Sequence, residues 1–226
     1  MSFLESTLNF NVITPINSLG YGIAGYNILH GLTTVGHTVA AYGIGPIQPE
    51  SEQNDLLKAC FDNSRTPDFS APCIRIWHQH DMAEFVGSGK RIGFPIFELN
   101  KFTDQELHQL GNPDEWFVCS QWAKNILKEA LEDRYSWKDL DSRIHVIPLG
   151  VDRSIFREKF SDRSETVFFN CGKWEIRKGH DVLVKAFNEA FTPEDKVELW
   201  MMCDNPFYSD DENFQWERLY KGSGLG

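Results

Sequence analysis

The chain alternates between short apolar runs and longer stretches in which apolar residues recur every three or four positions. "NFNVIT", residues 9–14, reads as a buried strand stopped by Pro15. After "PINSLGYG", residues Ala24, Ile28, Leu29, Leu32 and Val35 fall on one helical stripe, and Gly36 stands where a helix stops. "HTVAAYGI" predicts a second strand. Residues 45–70 are polar and proline-containing around one short helical piece, "QNDLLKACF". "CIRIWH" (73–78) and "RIGFPIFEL" (91–99) predict two more buried strands. "EWFVCS" followed by "QWAKNILKEAL" predicts strand, turn and helix. Ser120 is placed to cap that helix, and Trp122, Ile126 and Leu127 are placed on its apolar face. "RIHVIPLG" (143–150) predicts a further strand.

A charged connector without a core pattern, "VDRSIFREKFSDRSE", interrupts the alternation. Beyond it the pattern restarts with a strand "TVFFNCG", a helix "HDVLVKAFNEAF" with Leu183, Ala186, Phe187 and Ala190 inward, and a strand "VELWMMC". Strand and helix signals in turn predict an α/β fold with a mainly parallel, Rossmann-like sheet. The restart places a domain boundary near residue 155, giving units 1–155 and 156–226. Two strands and one helix are few for a doubly wound domain. The second unit is therefore expected to be the beginning of a larger one, the alternative being that this piece extends the first sheet.

Composition narrows the function classes. The 226 residues carry a net charge of −11, with 41% apolar and 13% aromatic residues. That supports a packed core and gives no basic field for a nucleic-acid backbone. The five cysteines are scattered and odd in number, with no C-x-x-C, and read as reduced, mostly buried thiols. "MSFLESTLNF" lacks the basic and apolar regions of a signal peptide. No apolar run approaches the ~20 residues of a membrane span. A cytoplasmic protein is expected.

Gly20, Gly22 and Gly25 complete a G-x-G-x-x-G, the pattern of a dinucleotide-binding loop. Its context argues against a nicotinamide cofactor. "PINSL" separates the strand from Gly20, and no acidic residue follows until Glu50, whereas ribose recognition asks for one about 20 residues on. The segment keeps another use: Gly20, Tyr21 and Gly22 are candidates to face a ligand at a helix start, where backbone N–H groups attract anions. The plainer alternative is a turn whose glycines supply positive φ.

In this order and spacing, "GYGIAGYNILHGLTTVGHTV", "FVCSQWAKNILKEAL" with "IHVIPLGVDRSIF", and "FFNCGKWEIRKGHDVLVKAFNEAF" resemble the retaining glycosyltransferases of family 4, which have the two-Rossmann GT-B fold. The resemblance covers most of residues 10–191. It implies transfer of a sugar, with retention, from a UDP- or GDP-linked donor to an acceptor, without a cofactor or a required metal. It assigns the donor diphosphate to Gly172, Lys173 and Lys178. Fixed cations there stabilise the charge that grows on the departing diphosphate. Lys173 stands where the family commonly has Arg, so it keeps the charge and loses the bidentate fork.

The family's paired glutamates, seven residues apart and late in the second domain, are expected beyond the point that "DNPFYSDDENFQWERLYKGSGLG" reaches. Glu98 and Glu106 share that spacing by coincidence in the first unit. Near the transferred sugar many members carry a histidine after a first-domain strand; Glu98 stands at about that place. His78 and His80, in "WHQHD", are the alternatives, His80 being ranked with Glu98 as catalytic. The downstream ligands of a metallohydrolase signature are not recognisable, so no metal is expected. The expected partners are a nucleotide sugar and a glycan, lipid-linked or small-molecule acceptor. A peripheral membrane contact stays open, and nucleic acid does not. The alternatives are a non-catalytic nucleotide- or sugar-binding module of the same fold and an NAD-dependent oxidoreductase.

Overall fold

The structure, a computed structural model, describes residues 7–137 and 139–221. The first residues of "MSFLESTLNF" lie outside that range. Packing divides the chain into two units, Met1–Asp152 and Arg153–Gly226.

Unit 1 is built on strands β1 (Asn9–Thr14), β2 (Thr38–Gly43), β3 (Cys73–Trp77), β4 (Arg91–Pro95), β5 (Glu115–Val118) and β6 (Ile144–Val146). They form one six-stranded sheet in the order β2-β1-β3-β4-β5-β6, and each neighbouring pair is parallel. Helices α1 (Gly20–Thr34), α2 (Asn54–Asn63), α3 (Asp104–Leu110), α4 (Gln121–Tyr135) and the short α5 (Leu140–Arg143) connect and cover the strands. This is the α/β, Rossmann-like architecture that the alternation predicts. β1, β3 and β4 are buried on both faces along most of their length, so consecutive residues rather than alternate ones turn inward, the polar Asn11, Thr14 and Arg75 among them.

One buried cluster gathers Val12, Leu29, Ala41, Leu57, Ile74, Ile76 and Phe94. A second gathers Leu110, Trp116, Val118, Leu127, Leu131 and Ile144. The chain leaves β1 toward β2 on one side and returns to β3 on the other. The β1 and β3 carboxyl ends therefore diverge, the place where open parallel sheets bind ligands.

Unit 2 holds strands β7 (Thr166–Gly172) and β8 (Val197–Cys203), paired in parallel from Thr166↔Val197 to Gly172↔Cys203. Helix α6 (His180–Ala190) lies between them in sequence and α7 (Asp210–Lys221) follows.

Several details differ from the sequence reading. β4 stops at Pro95 rather than near residue 99. Ile96 N donates one more bond to Trp77 O (3.1 Å) and the chain then leaves the ladder. β6 is likewise shorter, Ile144–Val146. α3 and α7 are helices without a periodic apolar signal in the sequence. Neither has a long apolar stripe, but each opens with a capping box. Thr103 and Glu106 cap α3 reciprocally, and Ser209 and Glu212 do the same at α7. Leu127 is buried in α4 as expected, joined by Ala123 and Leu131, and Ile126 is half-buried against the same cluster, whereas Trp122 is exposed. Of the α6 residues expected inward, Leu183 and Phe187 are half-buried and Ala186 and Ala190 are exposed; the buried positions are Val184 and His180, the latter hydrogen-bonded to the strand and loop beneath it. All five cysteines are free thiols, with Cys171 exposed rather than buried. Among the described residues no helix is long and apolar enough to cross a membrane.

Candidate functional site

Two groups of side chains carry chemistry, one in each unit. In unit 1 the carboxyl ends of β1 and β3 bring together the start of α1 and the "WHQHD" segment. Gly20, Gly22 and Gly25 are all helical residues of α1, and none has positive φ. Gly22 and Gly25 have a packing reason. A Cβ on Gly22 would meet the backbone of Asn17, and a Cβ on Gly25 would meet Thr14 and the Pro15 carbonyl. Gly20 faces open space. The first turn of α1 has neither a side-chain cap hydrogen bond nor an acidic residue, and Gly22 within it is buried.

Tyr21 is the residue that this arrangement puts to use. Its hydroxyl donates to Ile96 O at 2.9 Å and lies 2.9 Å from His78 Nδ1. Its ring is 4.4 Å from that of His78 and 5.2 Å from that of Trp77. Burial raises the Tyr21 pKa, with Glu98 and Cys119 adding to the effect. His80 stacks on His78 with centroids 5.1 Å apart. Burial, and then the neighbouring His80, hold His78 below its ordinary value of 6.5. Glu98 is exposed just beyond β4, and its charge acts on Tyr21.

The loop carrying these histidines is held from beneath. Arg75, 3% exposed in β3, donates through Nε to Asp81 O (2.9 Å) and through Nη2 to the Asp81 carboxylate (2.6 Å). Buried Gln79 donates to Glu106 Oε1 (2.9 Å), and Met82 N donates to Gln109 Oε1 (3.0 Å). The Thr103 amide and Gln79 together hold Glu106 below the usual carboxylate range. α3, absent from the sequence reading, is thus what anchors the loop.

In unit 2 the segment from Gly172 to Gly179 leaves β7, makes a 3-10 turn at Ile176–Lys178 and enters α6. Gly179 has φ +67°, a left-handed conformation that favours glycine. Trp174 is 3% exposed, packed between His180 (5.0 Å) and Trp216 (5.9 Å). His180 Nε2 is 2.7 Å from Lys173 O and donates to it, and Nδ1 accepts from Asn170 Nδ2 at 3.0 Å.

Lys173 Nζ lies 3.0 Å from Glu175 Oε1 and 4.8 Å from the centre of the Phe207 ring. Arg177 Nε lies 2.8 Å from the other Glu175 oxygen. The Lys173 hydrogen bond is the leading cause of the lowered Glu175 pKa. Lys178 is exposed, and α6 has no side-chain cap. The two expected cations are therefore joined in the same loop by a third, Arg177, and the Glu175 carboxylate is set between Lys173 and Arg177.

The chain matches no protein-family model and no curated protein. Among the described residues no group of three or more His, Cys, Asp or Glu side chains could hold a metal ion. Tyr21, His78, His80 and Glu98 form one neighbourhood, and Gly172, Lys173 and Lys178 share one loop. Gly22 is packed against Asn17. Arg75, Gln79 and the Tyr21–His78 contact leave no mark in the sequence. A lone Arg or Gln in an apolar run carries no sign of its partner.

Proposed function

We propose that the chain is a sugar-transfer enzyme of the retaining, family 4, GT-B type. In this reading unit 2 takes the diphosphate of a UDP- or GDP-linked donor and unit 1 takes the acceptor. The observation that carries the reading is the loop from Gly172 to Gly179. It presents Lys173, Arg177 and Lys178 at the carboxyl end of a parallel strand, leading into an uncapped helix start. Such a place attracts phosphate through both backbone donors and side-chain charge. Breaking a sugar–phosphate bond leaves the electron pair on the diphosphate, and cations fixed beforehand lower the cost of that charge. Glu175 balances Lys173 and Arg177 in the resting loop, and a diphosphate offers them more charge and more acceptor oxygens than one carboxylate.

Two features count against nicotinamide chemistry. Residues 15–19 separate β1 from α1, and β2 ends at Gly43 with no carboxylate to hold a ribose.

A second reading, a non-catalytic nucleotide- or sugar-binding module, is favoured by Glu175, which offsets part of the field a leaving group would need. Calorimetry of the full chain with UDP, GDP and NAD tests the proposal. UDP or GDP binds, and Lys178→Ala weakens it by about tenfold, the scale of one lost charge-assisted hydrogen bond. Equal affinity in that variant, or tight NAD binding, counts against it. Release of nucleoside diphosphate from a nucleotide sugar separates enzyme from module.

A further inference from the structure

The hydrogens around Tyr21 can be placed in one way that satisfies every group. The phenol has a single hydrogen and the Ile96 carbonyl has none, so at 2.9 Å the phenol donates to Ile96 O. The 2.9 Å contact between Tyr21 Oη and His78 Nδ1 is then made by the imidazole hydrogen on Nδ1. A neutral imidazole has one N–H, so Nε2 is left as a bare lone pair. Tyr21 and Ile96 come from α1 and from just beyond β4, and they fix the tautomer of a residue just beyond β3. This happens where the β1 and β3 ends diverge.

The surroundings say what that lone pair receives. The rings of Tyr21, Trp77 and His80 lie 4.4, 4.7 and 5.1 Å from the His78 ring. Aromatic faces with a few fixed polar groups suit a molecule with C–H faces and hydroxyl edges. A neutral imidazole offers an acceptor and no charge, so it suits a hydroxyl and not a phosphate. We propose that His78, rather than His80 or Glu98, receives a hydroxyl of a neutral sugar or polyol at Nε2, with Tyr21 as its positioning residue. This assigns the acceptor side of the reaction and rests on the sugar-transfer reading. His80 is exposed and shares the stack, and Glu98 is exposed and acts on Tyr21 through its charge.

Binding through Nε2 carries a pH dependence. The titratable groups around the pair are Tyr21 on α1, His80 on the same loop, Glu98 beyond β4 and Cys119 beyond β5, with Glu106 of α3 lowered in part by His80. Tyr21 stays a phenol, its pKa being raised. Protonation of His78 puts a hydrogen on Nε2 and removes the acceptor, so affinity falls as pH drops below the depressed His78 pKa.

Multiple-bond 1H–15N spectra of the labelled full chain read the tautomer directly, and titration with glucose and with myo-inositol reads the site. His78 appears as the Nδ1–H form, and one or both probes shift its Nε2 and the Trp77 indole resonance. Tyr21→Phe mixes the tautomers. His78→Asn keeps a donor toward Tyr21 but lacks an acceptor at the Nε2 place, and weakens the probe by about tenfold, the scale of one buried polar contact. His78→Gln, which can reach that place, stays within about threefold of wild type.

An Nε2–H tautomer, no response to either probe, or unchanged affinity in His78→Asn overturns the proposal. Probe binding at His78 without transfer from any UDP- or GDP-sugar overturns the sugar-transfer activity and leaves the hydroxyl site at His78 standing. Transfer whose acceptor KM is the same in His78→Asn does the reverse.

Discussion

Asp68 sits at the amino-terminal edge of the unit 1 sheet and shows what hydrogen bonds do to one carboxylate. Ser70 donates to it from its hydroxyl (2.6 Å) and its amide (2.9 Å), and Asn9 Nδ2 donates from β1 (2.9 Å). These bonds, the Ser70 hydroxyl first, lower its pKa from 3.8 to about 2. A carboxylate whose folded pKa is depressed contributes stability above its unfolded pKa, and that contribution is lost as pH falls through the folded one. Urea midpoints should therefore drop as pH goes from about 4 to about 2. Asp68→Asn, which cannot titrate, should show a shallower drop in that window. Identical slopes would mean the bonds are not made in solution. The serine two places on is visible in the sequence as a turn-forming pair. The bond from Asn9, 59 residues away, is not.

At the scale of the element, α1 explains why a loop motif read by its letters misleads. The three glycines are not a loop but the first turns of a helix, and their surroundings differ. Gly20→Ala adds a methyl in open space and relieves a flexible position, and should stabilise by about 0.5 kcal/mol. Gly22→Ala and Gly25→Ala gain the same propensity but drive a methyl into the Asn17 backbone and into the Thr14 side chain respectively, and should destabilise by about 2 kcal/mol net. Urea unfolding of the three variants checks the order. A Gly20→Ala protein as unstable as the other two would show that α1 packs differently. Capping was the most dependable local signal: Ser120 accepts from Ala123 N as expected, and the same chemistry at Thr103 and Ser209 marks the two helices that periodicity overlooked. The face of α4 was harder to read, because Trp122 and Ala123 differ by one step of rotation and only the packed sheet decides which turns inward.

At the scale of the whole molecule, the connector is the feature with a direct readout. Residues 153–165 carry neither helix nor strand and are exposed throughout. Limited trypsin digestion should cut first at Arg153, Arg157 or Lys159 and release two fragments of the sizes of the two units. Arg163 should be slower, since its guanidinium lies 4.5 Å over the Trp200 ring and 3.7 Å from Glu198. First cuts elsewhere would show that the connector is covered.

What the amino-acid sequence determined by itself is short-range. The alternation of strands and helices, the helix stop at Gly36 and the cap at Ser120 follow from apolar periods and local hydrogen bonds that span a few residues. What only the tertiary structure decided is long-range. Tyr21 meets His78 and Ile96 across 57 and 75 residues because the strand order is β2-β1-β3-β4. Glu175 joins Lys173 and Arg177 because the turn before α6 folds back on itself. An apolar run states that a strand is buried but not which strands lie beside it, and the meeting of side chains depends on that order.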